Sequence, residues 1–173
     1  NISGRGFFIL APKIGADPRF TRDGSFSLDA LGNIVTTDGF NVSGYRRDEI
    51  DGLIKNSAEP LNVPLSITTK EGRDVSLTGI NVDAYGNIET TYGLNNIVQR
   101  GQIALAKFNN DTELKSIGAN SYQVTQKSGG QILGSALQGS FGQIISGTLE
   151  SSNTNISNEL VSLLRTQQAY NGN

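Results

Sequence analysis

Asp48, Glu49 and Asp51 set three carboxylates within four residues, and a carboxylate pair is the machinery of glycoside hydrolysis. Their context argues otherwise. They sit in Arg46-Arg47-Asp48-Glu49-Ile50-Asp51, a mixed charge run that reads as a solvated loop, whereas a catalytic carboxylate needs a cleft and a shifted pKa. Lys127-Ser128 offers a nucleophile beside a base with no better support. Gly4-Arg5-Gly6-Phe7-Phe8-Ile9 starts like a dinucleotide fingerprint, but its third Gly is absent and a strand follows where a helix is required. No Gly-Lys-Ser/Thr occurs, so there is no phosphate loop.

Composition removes further chemistry. The 173 residues contain no His and no Cys. Ser-His-Asp triads, His- or thiolate-based zinc sites and Cys nucleophiles are thereby excluded. Fourteen Lys and Arg stand against sixteen Asp and Glu, a net charge of −2. Nucleic acid and anionic membranes both want a basic face, so neither is an expected partner. No apolar run approaches the ~20 residues that span a bilayer. The reading is of a protein that is not an enzyme and takes no metal or cofactor; architecture or binding is what remains.

A repeat marks the elements. Leu28 to Gly39 reads LDALGNIVTTDG, and Val82 to Gly93 reads VDAYGNIETTYG, with eight of twelve positions identical. Asp29-Ala30-Leu31-Gly32-Asn33 has the order of a type I turn closed by a left-handed residue. Asp29 accepts hydrogen bonds from the turn's amides and Gly32 takes positive φ without steric cost. Such a loop makes a bulged hairpin, and Ile34-Val35-Thr36-Thr37 supplies a β-branched return strand. Asp83, Gly86 and Asn87 repeat the roles of Asp29, Gly32 and Asn33, with Ile88-Glu89-Thr90-Thr91 returning. The rival is calcium, but each copy offers one carboxylate where a calcium loop uses six to eight oxygens. Two structural hairpins are the better account.

Most of the chain reads as short strands and turns. Phe7–Leu10 is a buried run between Gly6 and Pro12, and Ser25–Leu28 alternates. Pro60 and Pro64 bracket an edge strand or extended loop. Gly101 to Phe108 alternates most cleanly of all, Tyr122 to Thr125 is another strand, and Gln126 to Ser140, rich in Gly, Ser and Gln, reads as a loop. Phe141 to Leu149 holds one or two further strands.

The period changes at the end. Ile156, Leu160, Leu163, Gln167 and Tyr170 step by 4, 3, 4, 3, the spacing of a heptad seam. Asn155 suits the N-cap and Glu159 the first turn. Such a helix either packs on its own sheet or bundles with other chains, and Asn171-Gly172 can end it. The expected fold is mainly β: a β-rich core domain over 1–152 with a loop-rich insertion at 46–75, then a C-terminal α-helix over 153–173. The chain has no Met and starts at Asn1, so it is expected to be a fragment or processed product whose end segments are missing.

Gly4-x-Gly6-Phe7-Phe8, Phe20-Thr21-Arg22-Asp23-Gly24-Ser25-Phe26 and Asp29-x-x-Gly32-Asn33-Ile34-Val35 together resemble the opening of the core domain of bacterial flagellar axial proteins, the hook and rod family. Gly101 to Phe108 with Leu114, Ile117-Gly118 and Tyr122 resembles its next block. Gly139-Ser140-Phe141-Gly142, Ser146-Gly147-Thr148-Leu149-Glu150-x-Ser152-Asn153, Glu159-Leu160-Val161 and Gln167-Gln168-Ala169-Tyr170 resemble its C-terminal signature. The motifs run in order along nearly the whole chain except about 46–75.

The resemblance implies a tubular filament subunit, exported unfolded through the flagellum's own type III channel, whose terminal helices form a coiled-coil inner tube. Its partners would be copies of itself and the other axial proteins of the rod, the hook–filament junction and the hook cap. Its place would be the extracellular hook or the periplasmic distal rod of the basal body. The 101–108 and 139–153 blocks look most like the hook protein. One departure counts against it: the stretch from Tyr45 to Leu77 is too short for the outer domain that typical hook proteins insert, yet seems longer than the distal rod's. The order is hook first, distal rod second. The competing class is a secreted β-sandwich that binds sugar or a receptor, and its sign would be an aromatic-lined cleft.

Overall fold

The structure is a computed structural model and describes residues 2–11, 17–48, 50, 52–55, 57–118 and 120–145. Its organising element is one long strand. In chain order the strands are β1 (Ile2–Ser3), β2 (Phe7–Leu10), β3 (Arg19–Thr21), β4 (Phe26–Leu28), β5 (Ile34–Thr36), β6 (Ser43–Asp48), β7 (Gly52–Leu53) and β8 (Glu59–Pro60). There follow β9 (Ser66–Thr68), β10 (Asp74–Val82), β11 (Asn87–Tyr92), β12 (Asn96–Lys107), β13 (Lys115–Gly118), β14 (Ser121–Gln123), β15 (Ile132–Ser135) and β16 (Gln143–Ile144). A 3-10 turn, Asp111–Glu113, separates β12 from β13. The expected mainly β class is what the described residues form. The expected helix and its seam residues Ile156, Leu160, Leu163, Gln167 and Tyr170 lie outside them.

β12 is the spine of the twelve-stranded sheet, whose path runs β13-β14-β3-β2-β12-β11-β10-β9. Gln102 faces Asn87 of β11 on one side and Tyr45 of β6 on the other, and Leu105 faces Gly134 of β15 and Phe8 of β2. A core packs against each face of β12, so its second half is apolar on both sides. Ile103 and Leu105 point into the larger core with Phe8, Phe26, Ile34, Val42, Leu77, Ile88 and Tyr92. Ala104, Ala106 and Phe108 point into a second core with Phe7, Ile9, Phe20 and Tyr45. There Phe108 meets Phe20 and Phe7 edge-on, at 4.9 and 5.7 Å between centroids.

Three expectations change. The alternating strand at Gly101 is the second half of β12, which begins at Asn96. The expected loop 126–140 contains β15, because the free edge of β12 at Ala104–Lys107 supplies hydrogen bonds that its Gly-rich composition does not advertise. Arg46 and Arg47 are exposed as expected and Asp48 is half-buried, but all three end β6, where Arg46 faces Gly101 of β12 and Arg47 and Asp48 pair with β7. Within the 46–75 stretch Leu61 and Val63 are buried in the larger core.

Candidate functional site

The two repeat turns are built alike atom for atom. In the first, the Asp29 amide donates to the Asn33 carbonyl and the Gly32 amide to the Asp29 carbonyl, each at 3.0 Å. Asp29 Oδ1 accepts from the amides of Leu31 and Asn33 at 2.9 and 2.8 Å, and Oδ2 from Asn33 Nδ2 at 3.0 Å. In the second, Asp83 Oδ1 accepts from the amides of Tyr85 and Asn87, both at 2.9 Å, and Oδ2 from Asn87 Nδ2 at 3.1 Å. Gly32 and Gly86 hold φ of 85° and 87°. Each carboxylate is spent on its own loop.

The likeness continues beyond the turn, where the sequence shows no repeat. The amide of Val63 donates to the Gly32 carbonyl at 2.7 Å, and Asn62 Nδ2 to the Leu31 carbonyl at 2.9 Å. The amide of Ile103 donates to the Gly86 carbonyl at 2.9 Å, and Gln102 Nε2 to the Tyr85 carbonyl at 3.0 Å. Asn33 pairs with Asn62 as Asn87 pairs with Gln102. Asn62-Val63 and Gln102-Ile103 are therefore equivalent receiving strands, each latching a hairpin corner with a side-chain amide and a backbone amide. A Cβ on Gly32 would strike the Val63 carbonyl, and one on Gly86 would crowd Ile144 at 3.0 Å.

Two more turns share the local geometry without the docking. Thr36 N donates to Phe40 O at 2.9 Å and accepts, through Oγ1, from Phe40 N at 3.2 Å. Thr69 and Arg73 do the same at 2.7 and 3.2 Å. Gly39 and Gly72, at φ of 86° and 83°, face open space. The missed signal is a hydroxyl or carboxylate three residues before a Gly. The docked corners carry exposed apolar residues at their third position, Leu31 and Tyr85, and the free ones carry Asp38 and Glu71.

Among the described residues the chemistry weighed from the sequence is not assembled. Asp48 Oδ1 accepts from the Ile50 amide at 2.7 Å, and Asp48 lies 4.0 Å from exposed Arg46; Glu49 and Asp51 lie outside the described residues. Ser128 is buried with its hydroxyl against the Thr125 and Gly129 carbonyls, at 2.9 and 3.0 Å, and it accepts from the Thr125 amide. Burial pushes the Tyr45 hydroxyl above the ordinary phenol value. Two broad depressions, of about 470 and 410 Å³, are lined by Asn81–Ala84 with Gln143–Ile145, and by Arg22, Asp23, Asn120 and Tyr122. One aromatic among eleven lining residues is not the stacked platform a sugar site uses. Among the described residues no helix is long and apolar enough to cross a membrane.

Comparison with known proteins converges on one group. The model of the flagellar hook protein FlgE/F/G D1 domain matches residues 1–104. The flagellar basal-body rod protein FlgG of Buchnera aphidicola subsp. Acyrthosiphon pisum is 34% identical over 170 residues, covering 98% of this chain and 55% of that protein. The flagellar hook protein FlgE of Escherichia coli is 31% identical over 178 residues, covering 89% of this chain and 43% of that protein. For FlgE of Salmonella typhimurium the figures are 37% over 157 residues, 90% and 38%. The chain spans about half the length, or less, of the curated relatives it matches.

Proposed function

The chain belongs to the flagellar hook and rod family, and on that premise we propose that it is a structural subunit of the flagellar hook, with the distal rod as the second reading. The observation that carries this is the alignment of hook and rod proteins along 89–98% of the chain. Identity supports the hook, reaching 37%; coverage supports the rod, at 98% against 89–90%. In either place the role is mechanical and not catalytic. Identical copies associate head to tail through contacts that do not close, which generates a helical tube. The expected partners are further copies and neighbouring axial proteins. The 156–170 seam is proposed to join the tube's inner coiled coil.

The β domain suits that role physically. A subunit that transmits torque must resist shear, and here one strand is paired on both edges and packed on both faces. The latched corners pin hairpins that would otherwise pivot on their turns. The test is genetic. The gene is deleted from its motile bacterium and hook–basal-body particles are imaged by electron microscopy. Rods lacking hooks, with curved hooks restored by the gene, establish the hook reading. Loss of the distal rod as well establishes the rod reading. Intact flagella refute both.

A further inference from the structure

The segment Ile2–Gly6 turns three alternate carbonyls toward one point, and Arg22 fills it. Its Nη1 donates to the Gly6 carbonyl at 2.7 Å, and its Nη2 to the carbonyls of Ile2 and Gly4 at 3.0 and 2.5 Å. An extended chain points successive carbonyls to opposite sides, so alternate ones share a side, and converging them needs a curl. Gly4 and Gly6 supply it with φ of 102° and 127°, left-handed values that an L side chain resists. They also supply room: a Cβ on Gly4 would lie 2.9 Å from Gly142 Cα, and one on Gly6 would lie 3.2 Å from the Phe141 ring.

Arg22 is aimed by its own turn. Thr21 Oγ1 donates to the Asn120 carbonyl at 2.7 Å and accepts from the Asp23 amide at 3.0 Å. Asp23 Oδ1 then accepts from Ser25 N and Oγ, at 3.1 and 2.8 Å. The guanidinium carbon stands 5.7 Å from the centroid of the Phe7 ring. The ion pairs of the described residues, Arg5–Asp111, Arg46–Asp48 and Arg46–Glu59, leave Arg22 out. Its charge is met by carbonyl dipoles, a fork geometry that guanidinium satisfies and ammonium does not.

What the cradle holds is a ribbon apart from the main sheet. β1 pairs with β16, Ile2 facing Ile144 and Ser3 facing Gln143, in a sheet of its own. Gly142 N donates to Arg5 O at 2.8 Å and so joins the ribbon's own two sides, while Ile144 N to Ala84 O and Leu137 N to Gly142 O, each at 3.0 Å, tie the β16 side to the body, and Ile2, Phe141 and Ile144 seat their side chains in the larger core. We propose that Arg22 is a cationic latch that fixes the β1–β16 ribbon against the sheet, so that its loss opens the ribbon as a local unit while the β10–β12 body stays closed.

Hydrogen exchange read by mass spectrometry on the 173-residue chain tests the latch independently of the flagellar role. In Arg22→Gln, peptides covering 2–6 and 141–145 should exchange about tenfold faster or more, with β10–β12 unchanged, as for a sub-global opening. Arg22→Lys, which keeps a point charge without the fork, should fall between, and it carries the comparison if the Gln variant does not fold. Guanidinium chloride at about 10 mM should slow exchange at 2–6 in Arg22→Ala by refilling the cradle, whereas equal sodium chloride should not. Unchanged exchange at 2–6, or a parallel rise throughout β12, overturns the proposal. Either result would leave the electron-microscopy outcome untouched.

Discussion

At the scale of single residues, the four five-residue turns form a natural experiment on glycine. All four glycines hold φ between 83° and 87°, so the backbone strain of adding a side chain is common to them, roughly 1–2 kcal/mol. Gly39 has no atom within 4 Å of its missing Cβ, while that of Gly32 would overlap the Val63 carbonyl. Gly39→Ala should therefore cost about 1–2 kcal/mol by denaturant titration. Gly32→Ala should cost several-fold more and drive the β4–β5 corner off its receiving strand. Equal losses would show that docking adds nothing to the turn. A second residue ties stability to pH. Burial raises the Tyr45 pKa in the folded chain, so the unfolded phenol ionises first. The stabilisation is whole below the unfolded value near 10 and is lost as pH rises through the folded one. Unfolding midpoints should fall above about pH 10, and Tyr45→Phe should flatten that fall. The phenol bonds its neighbour weakly, at 3.4 Å from the Gly134 carbonyl, so the substitution should cost little at neutral pH.

At the scale of elements, the two latches differ in burial and so in cost. Gln102 is buried, and its Oε1 also accepts from Ser135 Oγ at 3.0 Å, itself a buried residue. Gln102→Ala strands both a carbonyl and a hydroxyl and should cost about 1–3 kcal/mol, whereas exposed Asn62→Ala should cost about 0.5–1.5. Chemical denaturation of the two variants orders them; the reverse order would mean that the corner at Leu31 bears the greater load. These elements also show what the sequence reveals. The Asp-x-x-Gly-Asn turns were legible because every bond that builds them lies within five residues. The strand from Gly101 was legible because two-sided burial imposes a pattern on its own side chains. The latch roles of Asn62 and Gln102 were not, since Asn62 sits 29 residues from Asn33 and nothing local marks either side chain as a latch. β15 was hidden in a Gly- and Ser-rich stretch because its hydrogen bonds come from the edge of β12. Thr36 and Thr69 hid because a hydroxyl receives only one of the amides that an Asp receives. Where a contact joins distant segments, one sequence carries the parts and not their pairing.

At the scale of the whole molecule, the question is whether two cores make two folding units. The larger core draws on β1, β2, β4, β5, β10, β11, β12 and β16, and the smaller on β2, β3, β6 and β12. If the cores were independent, a cavity in one would leave the other standing. The register argues against that. Ile103 and Leu105 enter one core while Ala104 and Ala106 enter the other, so adjacent residues of one backbone serve both. β2 divides likewise, with Phe8 and Leu10 on one side and Phe7 and Ile9 on the other. Neither strand can leave one core without leaving both. Ile103→Ala should cost about 2–5 kcal/mol and Phe108→Ala about 3–5, each shifting one shared transition. Far-ultraviolet circular dichroism and tyrosine fluorescence should trace the same curve, with the slope against denaturant unchanged. The test is sharp because the five tyrosines are the chain's intrinsic fluorophores in the absence of Trp, and they report on both cores through Tyr92 and Tyr45. Divergent curves, with Phe108→Ala melting Tyr45 ahead of the strand signal, would make the smaller core a separate unit. A shared transition means that shear applied at either face meets the resistance of both, which is the property a torque-bearing subunit needs from its sheet.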